Sequence, residues 1–141
     1  MKILVPIDGS ENSLKAIEKA VELGKQNGNA KILLLTVVNS QKDNPYIIEQ
    51  DYTSELSKRN IENGKRVLAE GSNLIRSYEG IVETMLRNGD IAENIIDVAE
   101  DEDYDLIVMG RRGMSISARS LLGSVSNKVL NYANKSVLVV K

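Results

Sequence analysis

Five apolar runs alternate with helical patterns along this chain, and the alternation constrains its fold more than any other feature of the sequence. The apolar runs are residues 2–8, 31–38, 81–87, 105–109 and 136–140. Most are continuous, which is typical of strands covered on both faces. Four intervening segments show helical spacing: 11–27, 54–78, 91–101 and 123–132. The pattern predicts a single-domain α/β fold over residues 1–141, with a five-stranded parallel sheet and helices on both faces.

Polar residues at the segment ends predict where the helices begin and end. Ser10 is placed as the N-cap of the first helix, and Gly28 would end that helix. Asp90 and Glu93 form a capping-box pattern ahead of the third helix. The apolar spacing places these residues on the inner faces of the first two helices: Leu14, Ile17, Val21, Gly24, Leu56, Ile61, Val67, Leu68, Leu74 and Ile75.

Composition excludes several classes of function. The chain has no cysteine and no histidine, which removes disulfides, thiolate chemistry, Ser-His-Asp triads and most zinc sites. A net charge of −2 and the lack of Phe and Trp argue against a nucleic-acid partner. No apolar run has the ~18 residues of a membrane span, and the start lacks a signal-peptide layout. We therefore expect a cytoplasmic protein with no membrane partner.

A glycine-rich connection between the fourth strand and the last helix is the strongest functional signal. It carries Gly110, Gly113 and Gly123, and Gly123 is followed by Ser124. Glycines let backbone N–H groups approach an anion, and the following helix start adds unpaired donors. The spacing favours a phosphate site, and the alternative is a set of turn and cap glycines.

Four regions of the sequence resemble the universal stress protein family, and the resemblance covers essentially the whole chain. The ATP-binding branch has the motif G-x2-G-x9-G-[ST], which Gly110, Gly113, Gly123 and Ser124 match. Residues 3–10 match the family's opening strand and the turn after it. Residues 35–38 match the end of its second strand, and residues 136–140 match its final strand.

The resemblance implies a Rossmann-like fold of the adenine nucleotide alpha hydrolase-like type, with strand order 3-2-1-4-5. It also implies a homodimer joined through the last strand, residues 136–140. The implied function is that of an ATP-binding regulatory protein of the stress response, acting on a downstream partner. The chain lacks a Walker motif, so binding is favoured over turnover. The alternatives are a slow ATPase or phosphotransferase, a dinucleotide or flavin module, and a nucleotide-free interaction protein.

The resemblance also assigns the ATP site residue by residue. The implied site comprises Pro6, Ile7, Asp8, Val37, Met109, Gly110, Arg111, Arg112, Gly113, Met114, Ser115, Gly123, Ser124, Val125 and Ser126. Asp8 has two possible roles: bending the turn at Gly9, or contacting the nucleoside or a phosphate-bound Mg²⁺ or Mn²⁺ ion. Arg111 stands where the family commonly has a small residue, so it either meets phosphate or is a solvated charge.

Overall fold

The sheet is entirely parallel and follows the strand order predicted for the family. The computed structural model describes residues 1–38, 50–111 and 122–141, and for residues 50–54 it describes the backbone alone. The described elements are β1 (Lys2–Pro6), α1 (Glu11–Gln26), β2 (Lys31–Val38), α2 (Gln50–Leu74), β3 (Val82–Asn88), α3 (Ile91–Asp101), β4 (Leu106–Gly110), α4 (Ser124–Tyr132) and β5 (Ser136–Val140). The strand order β3-β2-β1-β4-β5 and the parallel pairing confirm the predicted α/β fold.

Two hydrophobic cores lie on opposite faces of this sheet. Side chains that alternate along a strand point to opposite faces, so Ile3 and Val5 join one core while Leu4 joins the other. The first core contains α1 and α2 residues such as Ile17 and Leu68. The second contains residues of α3 and α4. Burial on both faces explains why the central strands read as continuous apolar runs.

The predicted caps are confirmed. The Ser13 N–H donates to Ser10 Oγ at 3.3 Å at the start of α1. The Glu93 N–H donates to Asp90 Oδ2 at 2.9 Å at the start of α3. Gly28 follows the end of α1 with a φ of +66°, a conformation that glycine adopts without strain. Local polar chemistry thus sets these boundaries.

The second helix ends earlier than predicted, and tertiary packing is the reason. It ends at Leu74 rather than at 78, and the Leu74 side chain is 59% exposed instead of facing the core. The Tyr78 ring instead packs against α1 at Gly24, where a Cβ would clash with the Tyr78 hydroxyl oxygen. Tyr78 also donates its O–H to the Ala30 carbonyl. Leu14, a second residue predicted to face inward, is 37% exposed.

The winding of the chain reverses between β1 and β4, which pair directly. In open α/β sheets, ligands bind at the carboxyl ends of the strands at such a reversal. Among the residues that the structure describes, no helix has the length and apolar content needed to cross a membrane.

Candidate functional site

A cavity of about 430 Å³ opens at the carboxyl ends of β1 and β4. It is lined by Pro6, Ile7, Asp8, Ser10, Ser13, Leu35, Val37, Ile91, Ile95, Met109, Gly110, Gly123, Ser124, Val125 and Ser126. Its volume lies in the range of small-molecule and cofactor pockets. A cavity therefore lies where the winding of the chain reverses between β1 and β4.

Most of the predicted site residues meet at this cavity. Those that line it are Pro6, Ile7, Asp8, Val37, Met109, Gly110, Gly123, Ser124, Val125 and Ser126. Arg111 lies beside the cavity but is not one of its lining residues. Arg112, Gly113, Met114 and Ser115 lie outside the described residues.

Five lining residues were missed by the sequence reasoning. Leu35, Ile91 and Ile95 were assigned to strands or core faces, and Ser10 was assigned only as a cap, while Ser13 carried no assignment. Position offered a signal for Ser10, Ser13 and Ile91, which lie at or near a helix start that follows a strand. It offered none for Leu35, which lies within β2, or for Ile95, which lies in the second turn of α3. Helical periodicity gives the buried face of α3 but does not show that part of this face borders a cavity.

The start of α4 presents unsatisfied backbone donors to the cavity. Its N-cap is Gly123, which makes no side-chain capping bond. The first intrahelical bond runs from the Asn127 N–H to the Gly123 carbonyl at 2.9 Å. The N–H groups of residues 124–126 therefore have no acceptor within the helix. Together with the positive end of the helix dipole, they can bind an anionic group.

Gly110 brings the first turns of α1 and α4 together. A Cβ at Gly110 would lie 2.7 Å from Asn12 Cβ and 2.8 Å from the Asn12 carbonyl carbon and oxygen. The Gly110 carbonyl also accepts a 2.8 Å hydrogen bond from Ser126 Oγ. Glycine is needed here because any side chain would push the α1 backbone away from β4.

Arg111 joins β4 to its neighbours through its backbone. Its N–H donates to the Val140 carbonyl at 2.9 Å, and its carbonyl accepts from the Gly123 N–H at 2.8 Å. Its Nε atom is buried and has no hydrogen-bond partner among the described residues. The backbone bonds hold the end of β4 against β5 and position the start of α4.

Another part of the cavity lining is apolar. Leu35 and Val37 come from β2, Met109 comes from β4, and Ile91 and Ile95 come from α3. Such a surface can cover the faces of a planar ring without competing for hydrogen bonds. The cavity thus combines an apolar wall with a wall of backbone and hydroxyl donors.

Asp8 shapes the turn that follows β1. The Ser10 N–H donates to Asp8 Oδ1 at 2.9 Å, and Gly9 between them has a φ of +85°. The predicted turn-bending role is confirmed by this bond. Within the described ranges, no group of three or more His, Cys, Asp or Glu side chains could hold a metal ion. A metal role for Asp8 stays a prediction.

The α3 wall is held to α4 by an ion pair near the cavity. Lys128 Nζ lies 3.4 Å from Asp90 Oδ2 and 3.9 Å from Glu93 Oε1. The backbone hydrogen bond from Glu93 lowers the pKa of Asp90, and the Lys128 charge lowers it further. These groups are half-exposed, so their contribution is mainly to orient the start of α3.

Comparison with known proteins identifies the family. The pattern of the universal stress protein family matches residues 1–141. The chain belongs to that family. It is 31% identical to the universal stress protein YxiE of Bacillus subtilis, over 99% of this chain and 98% of that protein. It is 33% identical to the universal stress protein MJ0531 of Methanocaldococcus jannaschii, over 99% of this chain and 81% of that protein.

Solved structures of this family share the fold. The structure of hypothetical protein MJ0577 superposes with a TM-score of 0.89 at 30% identity, over 99% of this chain and 94% of that one. Universal stress proteins of lower identity have been solved with adenine nucleotides. One is in complex with cAMP (24% identity, TM-score 0.74), and one from Archaeoglobus fulgidus is in complex with dAMP (22%, 0.74). These two alignments cover all of this chain and 97% and 98% of those chains.

Proposed function

We propose that this universal stress protein binds ATP in the cavity and acts as a nucleotide-dependent regulatory protein of the stress response. The observation that carries the proposal is the juxtaposition of an apolar wall with the uncapped start of α4. An adenine nucleotide has the same division into an apolar ring and an anionic tail. The adenine complexes of other family members are consistent with this ligand class.

In this proposal the base lies against Val37 and Met109, and the phosphates lie at the start of α4. Pro6, Ile7 and Asp8 border the nucleoside. The backbone N–H groups of residues 124–126 are the donors that the structure offers to phosphate oxygens. Residues 112–115 complete the phosphate loop in this assignment.

A divalent ion, Mg²⁺ or Mn²⁺, is expected to accompany the phosphates. Asp8 is the single acid among the described residues that line the cavity. Magnesium is commonly held by one or two carboxylates together with phosphate oxygens and water. The donor set therefore fits an ion that arrives with the nucleotide, with Asp8 as its protein ligand.

We further propose a cytoplasmic homodimer joined through β5. This strand pairs with β4 and lies at the edge of the described sheet. Its residues Val137–Val140 are only half-buried in the single chain. An apolar edge strand is an aggregation hazard unless it is covered, and pairing with a second copy would cover it. Ligand-dependent changes at the cavity could reach a downstream partner through this dimer.

Binding is proposed rather than efficient turnover. No described lining residue is a lysine or an arginine that could stabilise a transferring phosphoryl group. A weak ATPase activity is the second candidate, since Asp8 borders the same site. Phosphate release that scales with protein concentration and disappears in Gly123→Val would support turnover at this site.

Calorimetric titration of the nucleotide-stripped protein with ATP, with and without Mg²⁺, tests the proposal. We expect one ATP per chain, and we expect Gly123→Val to abolish binding because a branched side chain would fill the phosphate space. Gly28→Ala is the control for lost stability alone. It strains a positive φ, and its Cβ would meet nothing within 4 Å. Absence of heat with the folded wild type would refute ATP binding.

A further inference from the structure

Four serine hydroxyls line the cavity, and their existing hydrogen bonds distinguish them. They belong to Ser10, Ser13, Ser124 and Ser126. A serine hydroxyl has one hydrogen to donate, whereas phosphate oxygens that carry the charge can only accept. A hydroxyl can therefore bind phosphate directly only if its hydrogen is not already donated within the protein.

Two of the four hydroxyls already donate to backbone carbonyls. Ser13 Oγ donates to the Ser10 carbonyl at 2.9 Å, and Ser126 Oγ donates to the Gly110 carbonyl at 2.8 Å. Both side chains are buried, with 5% and 3% of their surface exposed. They hold the first turns of α1 and α4 in place, and redirecting either hydroxyl to a ligand would break a hydrogen bond that a buried serine makes within the protein.

Ser10 is different because its hydroxyl acts as an acceptor. Ser10 Oγ accepts the capping bond from the Ser13 N–H at 3.3 Å. Its own hydrogen has no acceptor among the residues that the structure describes. Ser124, which is exposed in the first turn of α4, likewise donates its hydroxyl to none of the described residues. Among the described residues that line the cavity, these two serines are the hydroxyl donors available to a ligand.

Ser10 and Ser124 approach the cavity from different helices. The first turn of α1 contacts Gly110 through Asn12, whose backbone carbonyl lies 2.8 Å from the position of a Gly110 Cβ. The first turn of α4 is bonded to the carbonyl of the same glycine through Ser126. The two serines therefore belong to turns on either side of Gly110, at the donor wall of the cavity.

We propose that Ser10 is a phosphate ligand of this cavity, donating its hydroxyl hydrogen to the nucleotide from the α1 side while α4 donates from the other. The proposal rests on the proposed nucleotide binding and adds the start of α1 to the phosphate site as a second source of donors. The Ser10 hydroxyl then has two roles. Its oxygen accepts the capping bond of α1, and its hydrogen is donated to the ligand. Ser13 acts as a positioning residue through its bond to the Ser10 carbonyl.

The test compares affinities for ATP and adenosine in matched variants. Ser10→Gly removes the hydroxyl and keeps most of the capping preference, because glycine is tolerated at N-cap positions. We expect its ATP affinity to fall about tenfold, the effect of losing one hydrogen bond to a charged group. Adenosine affinity should not change. Ser10→Thr keeps both the cap and the hydroxyl and should restore ATP affinity.

Ser124→Ala separates the inference from the proposed function on which it rests. If wild type prefers ATP to adenosine and Ser124→Ala weakens that preference, the α4 phosphate site stands. An unchanged preference in Ser10→Gly would then overturn the role of Ser10 alone. An equal loss for both ligands in Ser10→Gly would show a capping effect and would also overturn it. Absence of ATP binding by wild type would refute both proposals.

Discussion

Replacement of Gly110 by alanine tests whether the two helix starts are packed as tightly as the structure shows. The new Cβ would lie 2.7–2.8 Å from three atoms of Asn12, two of them backbone atoms that cannot turn aside. Overpacking of this kind costs about 1–3 kcal/mol. To relieve this overpacking, β4 and α1 must move apart. The same change should therefore disturb the donor wall of the cavity.

The expected loss can be expressed as a shift in melting temperature. An unfolding entropy of about 2.1 cal/mol/K per residue gives about 0.3 kcal/mol/K for 141 residues. The predicted cost then corresponds to a fall in Tm of about 3–10 °C. Differential scanning calorimetry measures the shift, and titration of the same sample with ATP should show weakened binding.

Gly71→Ala is the matched control. Its Cβ would meet only terminal methyl carbons, those of Ile7 at 2.8 Å, Leu34 at 3.3 Å and Ile17 at 3.4 Å. Such side-chain ends can rotate, and alanine is favoured over glycine within a helix by up to about 1 kcal/mol. The Tm of this variant should therefore fall less than that of Gly110→Ala. Equal shifts, or an unchanged Tm in Gly110→Ala, would refute the packing argument.

Two tyrosines and one aspartate give further predictions. Tyr78→Phe should lower the free energy of unfolding by about 1 kcal/mol in urea titrations, because it removes the bond to the Ala30 carbonyl. Tyr104→Phe should leave that free energy unchanged or raise it, because the buried Tyr104 hydroxyl has no partner among the described residues. Burial raises the pKa of Tyr104 to about 12, so wild type should lose stability relative to this variant as pH rises from about 10 through 12. The pKa of Asp90 is lowered from 3.8. The stabilisation that the ionised Asp90 side chain gives to the fold is therefore fully present above pH 3.8 and is lost as pH falls through the lowered pKa. The difference in free energy of unfolding between wild type and Asp90→Asn should shrink over that acid range.

The local sequence determined the elements of this protein and much of its site. Continuous apolar runs gave the strands because both faces of a parallel sheet are buried. Ser10 and Asp90 gave the helix starts because capping is a contact between neighbouring residues. The family resemblance assigned most of the cavity lining residue by residue. The glycine spacing and the strand ends pointed to the same region, because the carboxyl ends of parallel strands meet at one edge.

Other features depended on contacts between residues distant in sequence. The end of α2 and the exposure of Leu74 follow from the way Tyr78 packs against Gly24, a contact that helical periodicity does not contain. The roles of the serines follow from which carbonyl each hydroxyl reaches. Ser126 bonds to Gly110, sixteen positions earlier in the chain. Sequence alone supplied the donors and the apolar faces. Only the tertiary structure decided which donors remain available to a ligand, because each hydroxyl donates to an acceptor that the fold brings close to it.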